Sequence, residues 1–165
     1  MLVIYDTYYR PDPMKLLPIY EESILTNMAK KAGNSEYQNR VRAEDDFLLF
    51  IREEFYRVKG CRIFVWQHEG VMVSALRLEP YKDGYLLCGL ETAPMHRRKG
   101  YAKALLLSTI EYLKINDNCI IYSHIHRNNR ISLRLHSKCG FCRISDTAIL
   151  LDGSVSVMYH TLMLK

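Results

Sequence analysis

The chain has 165 residues, 48% of them hydrophobic and 25% charged, a composition that fits an ordinary globular protein and excludes a disordered or fibrous one. That length predicts one domain over 1–165, able to bury about 68–70% of its unfolded surface without staples. Its 23 Lys and Arg against 18 Asp and Glu give a net charge of +5, but three of those cations are the adjacent Arg97, Arg98 and Lys99. Basicity is therefore local, and the long cationic stripe of a nucleic-acid-binding face is not expected.

Met1-Leu2-Val3-Ile4-Tyr5 is too short for a secretory signal and lacks its basic flank, and no run approaches the roughly eighteen apolar residues of a membrane span. The expected location is the cytoplasm, with no membrane partner. Five cysteines, at 61, 88, 119, 139 and 142, are odd in number and scattered, which argues against a disulfide framework.

In chain order, residues 1–9 suggest a short strand, and 14–32 a helix interrupted near Pro18 and closed by Gly33-Asn34. A second helix is expected over 44–58, where Leu48, Ile51, Phe55 and Val58 recur at three and four and Glu44, Asp45 and Asp46 crowd the first turn. Strands at 61–68 and 71–79 flank a tight hairpin at Glu69-Gly70, and a turn at 81–84 leads into a strand at 85–92. A helix over 100–115, a strand over 119–125, a short helix over 130–138, and strands at 141–150 and 154–164 joined by Asp152-Gly153 complete the chain. The order is β-α-α-β-β-β-α-β-α-β-β, an α/β fold. Its strand–helix–strand passage from 85 to 125 forces those two strands parallel.

The most informative stretch is Arg97-Arg98-Lys99-Gly100-Tyr101-Ala102, set between a buried strand and an amphipathic helix. The first turn of a helix leaves its amides unpartnered and carries about half a positive charge, and three cations reinforce that field. Gly100 removes the Cβ that would hold a ligand off the backbone, so a polyphosphate can sit on the amides. The alternative is a basic helix start on a solvated surface. Neither a nucleotide-triphosphate loop nor a dinucleotide-binding glycine pattern is present.

Two motifs then agree in order and spacing. Arg97-x-x-Gly100-x-Ala102, with Pro94 six residues before the glycine, is followed by Asn129, Ser132, Leu135, Lys138, Gly140 and Phe141. On these residues, and on element order from end to end, the chain resembles the GNAT superfamily of N-acetyltransferases. The resemblance implies a single GNAT-like domain with a mixed, twisted β-sheet flanked by helices and splayed between 85–92 and 119–125, where acetyl-CoA enters. It further implies that Arg97, Arg98, Lys99, Gly100, Tyr101, Ala102 and Lys103 cradle the pyrophosphate, and that the backbone from Leu90 to Thr92 pairs with the pantetheine arm. Asn129 and Ser132 face the same arm from the other side.

The family usually has a tyrosine seven residues after the asparagine, proposed to protonate the departing thiolate; this chain has His136. Expelling a bare thiolate at pH 7 costs about 1.5 pH units, roughly 2 kcal/mol, so protonation helps without being indispensable. His136 is the candidate acid, or else it fills a partly exposed helix position. The acceptor side is harder, because freeing an alkyl amine of its proton at pH 7 costs about 3.4 units, roughly 4.6 kcal/mol. Glu91 is the candidate base, since it interrupts an apolar strand beside the cofactor motif, where burial raises a carboxyl pKa. The alternative is that it pairs with a cation such as Arg97 or caps the loop. His124 and His126, on one face of the next strand, are second in line.

Cys139-x-x-Cys142 has metal-ligand spacing, with His124, His126 and His136 not far off, but no second pair completes a zinc site and the second motif already accounts for Gly140-Phe141. No metal is expected. The expected reaction is direct acetyl transfer from acetyl-CoA to a small-molecule or peptide amine in a ternary complex, with backbone amides polarising the thioester. The alternative is a catalytically weak or inactive acyl-CoA-binding sensor module. Acidic residues at 21–22 and 44–46 read as solvated helix faces, and the oligomeric state, monomer or homodimer, stays open.

Overall fold

In the computed structural model, which describes residues 1–26, 28 and 34–165, seven strands form one mixed sheet. They are β1 (Leu2–Tyr5), β2 (Arg62–His68), β3 (Val71–Tyr81), β4 (Gly84–Thr92), β5 (Ile120–His126), β6 (Cys142–Ser145) and, after two short strands, β9 (Tyr159–Leu164). The spatial order is β1-β2-β3-β4-β5-β9-β6. The β4–β5 pair is parallel and the other pairs antiparallel, as a helical crossover between 92 and 120 requires.

The sheet is buried on both faces because its central strands run apolar without alternation. From β2 and β3, Ile63, Val65 and Ala75 pack against α1 (Leu17–Thr26) and the second helical stretch, through Ile19, Ile24, Ile51 and Phe55. Phe64, Leu76, Leu78 and β4's Leu87 face the other way onto Leu105, Leu106, Ile110 and Leu113 of α3 (Tyr101–Asn116). Each such side chain contributes about 1.5–3 kcal/mol by leaving water. α4 (Arg130–Lys138) lies on the α3 side, where His136 meets the Phe141 ring edge-on at 5.0 Å.

Several expected boundaries change. The opening strand ends at Tyr5, because the Asp6 carboxylate accepts from the Tyr8 and Tyr9 amides and turns the chain. A 3-10 turn, Pro13–Leu16, capped by Asp12, precedes α1. The described helix stops at Thr26; the expected continuation over 29–32 and the stop at Gly33 lie outside the described residues. α2 (Glu36–Leu49) starts well before 44, because Ser35 and Gln38 form a reciprocal capping box that the acidic cluster obscured. It continues through a π turn, Phe50–Glu54, and a 3-10 turn, Phe55–Arg57. The two long C-terminal strands are each broken: β6 and β9 join the sheet, while β7 (Ala148–Ile149) and β8 (Val155–Ser156) pair separately at the tip.

Candidate active site

The site begins where β4 leaves β5. Their pairing runs from Gly84↔Ile120 to Leu87↔Ser123 and stops, while β5 continues along β9 to His126↔Tyr159. The expected splay is therefore present, and the β5-facing side of residues 88–92 has no strand beside it. On the other side, β3 partners slip: Ala75 pairs with Glu91 and Arg77 with Cys88, so three steps of β4 oppose two of β3. This bulge turns on Gly89, whose φ of +56° suits a residue without a side chain. An added Cβ there would meet the Tyr20 ring at 3.3 Å and the Arg77 guanidinium at 3.4 Å. Gly89→Ala should cost about 1–2 kcal/mol of stability from its left-handed backbone, read as a lower Tm.

At the far end of the splay, a 3-10 turn, Pro94–His96, leads to Arg97 and then to Gly100, the N-cap of α3, at φ +85°. The first helical bond runs from the Ala104 amide to the Gly100 carbonyl, 3.0 Å, so the amides of Tyr101, Ala102 and Lys103 have no intrahelical acceptor. A Cβ at Gly100 would touch nothing within 4 Å, so the space above those amides is open. Arg98 and Lys99 are exposed beside it. Arg97 is placed differently: its Nε donates to the Thr92 carbonyl at 3.2 Å and its guanidinium pairs with Glu22 of α1. It fastens the loop to α1.

The two sequence motifs meet across a groove of about 470 Å³ lined by Lys103, Arg130, Ile131, Arg134, Leu135 and Lys138. Asn129 caps α4, its side-chain oxygen accepting from the Ser132 amide at 3.0 Å. His136 is not partly exposed but 1% exposed. Its Nδ1 lies 2.9 Å from the Ser132 carbonyl, which can only accept, so the proton is on Nδ1. Nε2 is then an acceptor 3.4 Å from the Ser123 hydroxyl, whose single proton is shared with the Leu87 carbonyl, also at 3.4 Å. Burial pushes the ring's pKa below its usual value, against the opposing Ser132 hydrogen bond.

Glu91 lies on the other face of the sheet, in a cavity of about 300 Å³ under α1 and α2, together with Tyr20, Ser23, Phe47 and Arg77. Burial raises its carboxyl pKa, opposed by a hydrogen bond from Ser23 and by the charges of Arg77 and Arg97. Arg77 and Tyr20 escaped sequence reading. The available signals were a lone cation inside the apolar run Leu76-Arg77-Leu78 and a glycine inside a strand. His124 stacks edge-on against Tyr81 at 5.3 Å, its pKa lowered by burial and by Lys82, and His126 accepts from the Asn128 amide at 3.2 Å. Neither lines the Glu91 cavity. Cys139 is buried and Cys142 exposed, and among the described residues no cluster of three or more His, Cys, Asp or Glu is placed to hold a metal. Among those residues no helix is long and apolar enough to cross a membrane.

Comparison with known proteins identifies the fold. The fold is that of the PaiA N-acetyltransferase from Thermoplasma acidophilum, crystallised with coenzyme A, at TM-score 0.67 and 17% identity over 100% of this chain and 99% of that one. The ribosomal-protein-S18-alanine N-acetyltransferase of Escherichia coli superposes at 0.59, with 17% identity over 99% and 93% of the two chains. A spermidine N-acetyltransferase mutant from Vibrio cholerae gives 0.61, with 16% identity over 99% and 94%. No curated protein matches. The sequence profile of the acetyltransferase (GNAT) family matches residues 26–141, more than half of the chain, and on that match the protein belongs to the GNAT acetyltransferase family.

Proposed function

We propose that the protein moves an acetyl group from acetyl-CoA directly to an amine, with both substrates bound at once. The observation that carries this reading is the unpaired edge of β4, which runs from the open amides of α3 to Glu91. In it, the amides from Arg98 to Lys103 hold the pyrophosphate. Residues 90–92 receive the pantetheine arm as an added strand, with Asn129 and Ser132 opposite. Arg97 supports the loop through Thr92 and Glu22. The thioester is then brought to the splay, and Glu91, or a water that it orders, takes the ammonium proton. The amine attacks the thioester carbon, the C–S bond breaks, CoA leaves as thiolate, and the new amide nitrogen gives its surplus proton to that thiolate or to water. Five unpaired cysteines accord with a cytoplasmic setting.

The test is release of free thiol from acetyl-CoA by the purified protein when it is offered a panel of amines. Turnover with any of them supports the transfer reading. CoA binding with no thiol release from small amines or peptides supports the sensor reading instead, which one observation favours: neutral His136 carries no proton on Nε2.

For His136 to act as acid it must first become imidazolium, which its burial opposes. An acid role would therefore appear as a rate component present at low pH and lost as pH rises through a value below the ordinary 6.5. His136→Tyr, which restores a hydroxyl donor, should keep or raise turnover, while His136→Ala should lower it modestly. An unchanged rate in both variants, across pH, would leave His136 with no part in the chemistry.

A further inference from the structure

The Glu91 cavity contains a second charge that acyl transfer does not require. Arg77 projects from β3 into the same cavity, with its Cζ 5.0 Å from the Phe50 ring centre and 5.9 Å from that of Tyr20. Its Nε is buried without a hydrogen-bond partner, and the Tyr20 hydroxyl beside it is likewise unpartnered. Glu79 and Glu91 lie within its field, yet among the described residues no carboxylate forms an ion pair with it. It packs close over Gly89, where an added Cβ would come within 3.4 Å of the guanidinium. A half-buried guanidinium whose Nε is buried and idle is costly to fold around and well suited to a planar carboxylate, which it grips with two parallel bonds.

We propose that the acceptor is a small apolar α-amino acid, bound with its carboxylate on Arg77 and its amine at Glu91. This rests on the reading of the cavity as the acceptor site. Three further features fit. The cavity, at about 300 Å³, is at the small end of ligand sites. Its remaining wall includes Ile24, Met28, Ala43 and Phe47, which suit an aliphatic or aromatic side chain. Its charged groups are two cations, Arg42 and Arg77, and two acids, Asp46 and Glu91; Arg42 and Asp46 pair with each other at 3.8 Å, which leaves Arg77 and Glu91 to meet the two ends of a zwitterion.

The experiment compares each acid with its twin lacking the carboxylate: L-leucine, L-methionine and L-phenylalanine against the corresponding amides and decarboxylated amines. Rates are expressed per free-base amine, with acetyl-CoA saturating. The expected result is a kcat/KM about 10- to 100-fold higher for the acids. Arg77→Met should erase that ratio without changing the Kd for CoA, and Arg77→Lys should keep part of it. Equal kcat/KM for acid and twin in the unaltered protein overturns the proposal while leaving acetyl transfer intact, and that comparison needs no variant to fold. An undiminished ratio in folded Arg77→Met overturns the assignment to Arg77. Failure of every amine to release thiol from acetyl-CoA removes the acetyltransferase reading, and this proposal with it.

Discussion

With glutamine in place of Glu91, kcat/KM for an amine acceptor falls by about 10²- to 10⁴-fold at pH 7, the range that general bases contribute. The deficit should narrow as pH rises. Burial holds the Glu91 carboxyl above its usual pKa, so its basic form is lost as pH falls through that raised value and is fully present above it. The glutamine variant lacks this limb and depends on the free-amine fraction, which grows about tenfold per pH unit toward the amine's own pKa near 10.4. Initial rates from pH 6 to 9.5 decide the matter: a loss of the same size at every pH makes Glu91 a positioning residue, not a base. Stability should move the other way. A carboxyl with a raised folded-state pKa binds more protons folded than unfolded, so it lowers stability as pH climbs from the unfolded value through the folded one. Removing its charge should therefore raise the Tm at pH 7 while activity falls.

The second large effect is expected at the donor loop. Replacing Arg98 and Lys99 together with alanine should weaken CoA binding by about 10- to 100-fold, since each charge-assisted contact with phosphate contributes about 1.5–3 kcal/mol before solvent screening reduces it. Both side chains are exposed, so the folded state should be undisturbed and the Tm without ligand unchanged. Titration calorimetry at two salt concentrations checks this: the unaltered protein should lose affinity with salt and the double variant should lose less. Arg97→Ala should behave differently, because its guanidinium joins Thr92 and Glu22. Its removal should loosen α1, on the acceptor side, along with the loop.

What could be read from the residues depended on whether local chemistry fixed the outcome. The helix start at Gly100 was legible because a glycine after three cations, between an apolar strand and a periodic helix, states its conformation within six residues. The parallel pairing of β4 with β5 followed from chirality and crossover length. The start of α2 was missed although Ser35 and Gln38 announce it, because the acidic run at 44–46 offered a more conspicuous first turn. Of the two readings of His136, the partly exposed helix position is the one the structure excludes: its burial depends on Ser123 and Phe141, residues of other elements that no helical period reveals. Arg77 was harder still. Its importance comes from a register slip, a glycine in the facing strand and two rings from two helical segments, contacts that tertiary packing alone brings together.

The unpaired side of β4 also bears on how copies of the protein could pair with one another. An open sheet normally has two edges, here β1 and β6, but the splay gives this one a third, in the middle and next to apolar side chains. A flat, exposed row of amides and carbonyls is a template for a strand from another molecule. The bulge at Gly89 twists this row out of a regular ladder, so a neighbouring chain finds no continuous register to follow. The irregularity beside the cleft is thus also one that disfavours strand-to-strand pairing there.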